Sequence, residues 1–159
     1  MGETRAEFPI EQKLRQDIQE AQRARDQVRL DTLRMALGAI HNLEVARTDR
    51  KNREYGQPLT EADALKVLEQ EVKKRSQAIP LYQQGGRNDL AEKEQRELDI
   101  IQGYLQASQL SDDELRAIVA TIVAQHGKEF RQVMPLAVKE TKGRAEGARV
   151  QRIVKEMTQ

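Results

Sequence analysis

Apolar residues recur along this chain at helical spacing over nearly its whole length. Pro9 suits the first turn of a helix, where its missing N–H is no loss, and Ile10, Leu14, Ile18 and Ala21 then follow at intervals of four, four and three. A second stripe, Leu30, Leu33, Leu37 and Ile40, is widened by Met35, Ala36, Leu43 and Val45. It predicts a helix over 26–47, about 33 Å long at 1.5 Å per residue. Gly38 inside it costs roughly 1 kcal/mol against Ala, a cost that we expect a close helix crossing to offset.

Residues 48–58, TDRKNREYGQP, hold five charged side chains and no aliphatic one, which predicts a mobile loop. Thr60 then offers an N-cap oxygen with Asp63 three residues on, opening a helix that buries Ala64, Leu65, Leu68 and Val72. Pro80 should kink or end this helix near Ile79, unless Leu81 and Tyr82 carry it one turn further, and Gly85-Gly86 is a definite break. A fourth helix from about Asp89 carries Leu90, Leu98, Ile101 and Leu105. Ser111 and Glu114 form a capping box ahead of Leu115, Ile118, Val119, Ile122 and Val123, with His126-Gly127 as the stop. Two short helices, about 129–139 and 146–157, are joined by ETKGRAEG. No alternation of strand type occurs, so the expected fold is all-α. We expect an N-terminal long helical hairpin or bundle over residues 1–106 and a small three-helix C-terminal subdomain over 107–159.

Composition narrows the function classes. In 159 residues there is no Cys, which removes disulfide frameworks, thiolate metal sites and cysteine nucleophiles together. The longest uncharged apolar stretch, 117–124, is far short of the about 20 residues that span a bilayer. Residues 1–13 are charged and lack the apolar core of a signal peptide, and Ala6 breaks the pattern for myristoylation at Gly2. From these features we expect a soluble cytoplasmic protein that binds neither membrane nor metal and carries no cofactor.

Candidate chemistry is thin. Three serines, Ser76, Ser108 and Ser111, stand in no nucleophile motif, and His41 and His126 lie 85 positions apart without a second ligand at metal-binding spacing. Phosphate-binding glycine patterns are absent. The acids Glu92, Glu94, Glu97 and Asp99 could supply a di-acid site by residue type, but helical spacing spreads them around a polar side, and we expect a solvated face.

Charge becomes informative once it is divided along the chain. Lys and Arg number 27 against 26 Asp and Glu, a net of +1, with the signs interleaved as on solvated helix faces. The first 110 residues carry 18 basic and 19 acidic side chains, whereas from Lys128 onward there are 8 basic and 4 acidic. Lys142-Gly143-Arg144 falls at a turn leading into a helix, where backbone N–H groups and cationic side chains can meet a phosphate together.

The order of several segments carries a family resemblance. RLDTLRMALGAI (29–40), LKVLEQEVKKRSQAIPLYQQGGRNDLAEKEQRELDIIQGYL (65–105), QLSDDEL (109–115), Val133-Met134 and KGRAEG (142–147) together closely resemble the YqeY family over about residues 10–158. That family is similar to the C-terminal tail domain of the GatB subunit of tRNA-dependent amidotransferases. The chain departs from the family pattern at Gln106, where a proline usually follows Tyr-Leu, and at Arg131-Gln132, where a glycine commonly precedes Val-Met. Glu146 replaces the usual Asp and is a weaker helix cap.

The resemblance implies an all-α fold and a link to tRNA. It brings with it the family label of carbon–nitrogen ligase activity with glutamine as amido donor. Three scattered serines cannot build the Ser–Ser–Lys arrangement of the amidase that supplies ammonia in such enzymes, so we expect no catalysis by this chain. The expected function is a tRNA-associated binding module, with Lys139, Lys142, Arg144, Arg149 and Arg152 as phosphate contacts and Gly143 and Gly147 shaping the turn. The alternative is a protein–protein adaptor for an aminoacyl-tRNA synthetase or an amidotransferase.

Overall fold

The computed structural model of the protein describes residues 5–159. Gly2 and the start of the stretch read for a signal peptide lie outside them. The described residues form seven α-helices and no strand: α1 (Pro9–Arg23), α2 (Gln27–Ala46), α3 (Glu61–Gln84), α4 (Asn88–Ala107), α5 (Asp112–His126), α6 (Phe130–Thr141) and α7 (Gly147–Thr158). The all-α expectation therefore holds.

Local chemistry sets the helix ends. At α3, the Asp63 N–H donates to Thr60 Oγ1 at 3.2 Å and the Thr60 N–H donates to Asp63 Oδ2 at 2.9 Å. At α5, the Glu114 N–H donates to Ser111 Oγ at 3.2 Å and the Ser111 N–H to Glu114 Oε2 at 2.7 Å. Both are reciprocal capping boxes that satisfy donors the first turn would leave bare. α3 runs through Pro80 to Gln84 and ends at Gly85. Ser76, whose carbonyl loses its partner at Pro80, is exposed and can turn to water, so the helix survives one further turn.

The chain divides into two compact units, one ending at Ala107 and one from Ser108 to Gln159. In the first, α3 and α4 form a hairpin, α1 pairs with α2, and α2 packs on both α3 and α4. Its core contains Ile10, Leu14, Leu33, Ile40, Leu65, Leu68, Ile101 and Leu105. In the second unit α5, α6 and α7 each pack on the other two around Leu115, Val119, Val133, Val150, Ile153 and Val154.

Among the charged side chains buried in the first unit are three groups centred on Asp17, Arg75 and Arg47. Tyr104 donates its hydroxyl hydrogen to the Asp17 carboxylate, which also accepts from Lys13 Nζ at 2.8 Å, while Arg29 Nη2 lies 3.2 Å from the Tyr104 oxygen. Burial alone would raise the Asp17 pKa, but the Lys13 and Tyr104 hydrogen bonds outweigh it and hold the carboxyl below its usual range. Arg75, 4% exposed, donates through Nε to Glu97 at 3.1 Å and through Nη1 to Glu71 at 2.8 Å. Glu97 is itself buried, so the acids on α4 are not uniformly a solvated face as expected.

Arg47, the third group, corrects the reading of residues 48–58 as mobile. Its side chain donates to Glu54 at 2.8 Å and to the Pro58 carbonyl at 2.9 Å, and it pairs with Asp63 at 3.1 Å. The Gly56 N–H donates to the Arg47 carbonyl at 2.9 Å, with Gly56 at φ +73°. Apolar content alone underestimates the order of this segment because one buried guanidinium gathers it.

The close crossing expected at Gly38 does not occur, since a Cβ added there would meet nothing within 4 Å. Gly38→Ala should therefore stabilise the protein by about 0.5–1 kcal/mol through helix propensity alone. A raised denaturant midpoint at unchanged slope is the expected result, and an unchanged or lowered midpoint would refute it.

Candidate nucleic-acid interface

Of the cations singled out in the sequence, Lys142 and Arg144 lie in one turn of the second unit, Lys139 in the last turn of α6 before it, and Arg149 and Arg152 on α7 after it. α6 ends at Thr141, whose buried hydroxyl donates to the Ala137 carbonyl at 2.7 Å. Lys142 leaves the helix with ψ at 126°, and Gly143 takes φ +80°, a left-handed conformation that glycine adopts without the strain a side chain would bring. The Arg144 N–H then returns to the Thr141 carbonyl at 2.9 Å. Gly147 opens α7 with no positive φ and with open space at its Cβ position, so the turn requires Gly143 but not Gly147. Glu146, the N-cap of α7, makes no side-chain hydrogen bond to the first turn. An Asp-like cap is missing there, as the identity of Glu146 suggested.

The segment before α5 lies against this turn. The Leu110 N–H donates to the Arg144 carbonyl at 2.8 Å, and Gln109 Nε2 donates to the Gly143 carbonyl at 3.2 Å. Arg149 Nη2 donates to the Leu110 carbonyl and to Asp112 Oδ1, both at 2.8 Å. Arg152 Nη2 donates to the other Asp112 oxygen at 2.8 Å. The hydrogen bonds of Arg149 and Arg152 hold the Asp112 carboxyl down at about 2, so it is ionised at any ordinary pH.

Two classes of cation result. Arg149 and Arg152 are committed to Asp112, whereas Lys139, Lys142 and Arg144 form no ion pair among the described residues. Lys139 and Lys142 are exposed and Arg144 is half-buried. The sequence reading grouped all five because Asp112 stands 37 and 40 positions away from its partners and only the packing of α5 on α7 brings it to them. The one signal available was its place in the acidic first turn of a helix, a position that attracts cations as readily as it complements the helix dipole. Among the described residues, no group of three or more His, Asp or Glu side chains could hold a metal ion, and no helix is long and apolar enough to cross a membrane.

Comparison with known proteins places the chain. The chain is similar to altered inheritance of mitochondria protein 41, mitochondrial, of Eremothecium gossypii, with 29% identity over 123 residues, 77% of this chain and 63% of that protein. The same-named protein of Pyrenophora tritici-repentis is 28% identical over 138 residues, 84% of this chain and 71% of its own length. That of Clavispora lusitaniae is 33% identical over 101 residues, 64% of this chain and 54% of that protein. The chain thus matches less than two thirds of the Eremothecium and Clavispora proteins.

These names overturn the expectation of a cytoplasmic protein, because the relatives are mitochondrial. The physical reason is that a cysteine-free, charge-balanced helical chain without an apolar span fits any aqueous compartment, and nothing in such a composition selects one. Residues 11–158 match the family described as Yqey-like protein, nearly the whole length over which the quoted motifs run, and the chain belongs to the YqeY family.

Proposed function

We propose that the chain is a tRNA-binding module that performs no chemistry of its own, resembling in this the tail domain of the amidotransferase GatB subunit. The observation that carries this reading is the set of three cations that form no ion pair among the described residues, Lys139 and Lys142 exposed and Arg144 with only the charge of Glu114 acting on it, beside a turn that opens onto the uncapped start of α7. Unpaired cations beside bare backbone donors give the phosphate backbone its main sequence-independent attraction. Gly143 shapes the turn, and Gly147 supplies the first backbone N–H of α7. Arg149 and Arg152 extend the cationic surface along α7, subject to their hold on Asp112.

The test is an anisotropy titration with bulk tRNA over a range of salt. Reversing Lys139 and Lys142 together to Glu should weaken binding at least about tenfold at low salt and flatten the dependence of log affinity on log salt by about 2. These side chains make no ion pair, so the fold should be unaffected, which a melting curve checks. Reversal of Arg149 is a poor probe, because it would set a second carboxylate against Asp112. Unmeasurable wild-type affinity at low salt, or affinity indifferent to salt, would remove the reading in favour of an adaptor for an aminoacyl-tRNA synthetase or an amidotransferase.

A further inference from the structure

We infer that Asp112 is an internal competitor for phosphate at Arg149 and Arg152, and that it sets how tightly the C-terminal unit holds a polyanion. The inference rests on the phosphate-binding reading above and assigns that surface an affinity-determining residue. Asp112 offers one oxygen to each guanidinium, Oδ1 to Arg149 and Oδ2 to Arg152, each at 2.8 Å. A phosphate group can bridge two arginines in the same way.

The arrangement is exchangeable. The side chains of Arg149, Arg152 and Asp112 are 33%, 51% and 36% exposed, and ion pairs this open to water are weak and easily traded for another anion. Arg149 also donates to the Leu110 carbonyl, a bond that remains when Asp112 is displaced and keeps the guanidinium in position. Leu110 is in turn bonded to Arg144 on the cationic turn. The freed pair would thus add to the surface that already carries Lys142 and Arg144. Glu156, 3.8 Å from Arg152 and 3.6 Å from Arg116, is a further carboxylate paired with Arg152 and only partly offsets this gain.

Neutralising any acid strengthens binding to RNA a little, so the neighbouring Asp113 provides the control. Among the described residues it pairs only with Arg116, at 3.3 Å, and its side chain is 96% exposed. Asp112→Asn should bind bulk tRNA at low salt at least about threefold more tightly than Asp113→Asn, with a salt dependence steeper by about 1 to 2 than wild type. Adding Arg152→Gln should erase most of that gain.

Arg152→Gln should cost clearly less affinity in the native Asp112 background than in the Asp112→Asn background, because in the native protein phosphate must first displace the carboxylate before it can use the guanidinium. The loss is measured within each background, so a start of α5 loosened by Asp112→Asn does not confound the comparison. An equal loss from Arg152→Gln in both backgrounds, or equal affinities for the two Asn variants, would overturn the competition and leave the tRNA reading standing. Absence of tRNA binding by wild type and both Asn variants would overturn both.

Discussion

Replacing Arg75 with Ala is expected to destabilise the protein by about 3 kcal/mol, a large share of the about 5–15 kcal/mol that stabilises a domain. The reason lies in what is left behind. Glu97 is 7% exposed, and its close cationic partner is Arg75 at 3.1 Å; Lys93 approaches only to 4.0 Å. Removing the guanidinium leaves a buried carboxylate with one distant cation, and Glu71 also loses its 2.8 Å partner. Lys93 keeps the estimate at the low end of the cost usual for breaking a buried pair. The companion variant, Arg75→Met with Glu97→Leu, should recover most of the lost stability, because an apolar pair of similar volume escapes the desolvation that the ions bear. Guanidinium denaturation of the three proteins checks both statements, and a loss below about 1 kcal/mol for Arg75→Ala would mean that water reaches the pair.

Ile153→Ala should have an effect of similar size but confined to the second unit. Ile153 is fully buried among Leu115, Val119, Val133, Val150 and Val154, all within 1% of complete burial. Truncating such a side chain costs about 2–5 kcal/mol in lost transfer energy and in the cavity left behind. A unit that begins at Ser108 is small, and at about 0.05–0.15 kcal/mol per residue its whole stability is only roughly 3–8 kcal/mol. The expected result is that the helical signal contributed by α5–α7 melts early, well before that of α1–α4. A single transition shifted as a whole would show that the two cores unfold as one.

The stripes that periodicity picks out are the cores. Ile10 and Leu14, Leu33 and Ile40, Leu65 and Leu68, Ile101 and Leu105, and Leu115 and Val119 are all buried where helical spacing puts them. Capping boxes at Thr60 and Ser111 were equally legible, since three residues in sequence contain the whole device. Stripe widening overshot at Met35 and Val45, each about half exposed. Buried charge is what the pattern hid. Arg75 continues the row Leu65, Leu68, Val72 at intervals of three, four and three, and Glu97 precedes Ile101 and Tyr104 at four and three. A polar residue on an apolar row was thus the available signal, but a hydrophobicity pattern counts it as an interruption. Its meaning depends on a partner on another helix, 22 positions away for Arg75 and Glu97 and 87 for Asp17 and Tyr104. The pairing of Arg149 and Arg152 with Asp112 was hidden for the same reason. At the cationic turn, the need for Gly143 follows from local backbone chemistry, whereas the division of the cations into paired and unpaired does not.

The buried charges of the first unit also act as an index for alignment. The core of α1–α4 is largely aliphatic, with Tyr104 its one buried aromatic among the described residues and Phe8 partly buried against it, and aliphatic faces are poor at telling one alignment from the next. A helix slid along its neighbour by one turn, about 5.4 Å, would still set branched carbon against branched carbon. The same slip would carry Arg75 past Glu97, Arg47 past Asp63 or Tyr104 past Asp17, and stranding the buried Arg75–Glu97 pair alone would cost several kcal/mol. The three contacts join α3 to α4, α2 to α3 and α1 to α4, so every helix of the unit is indexed against at least one other.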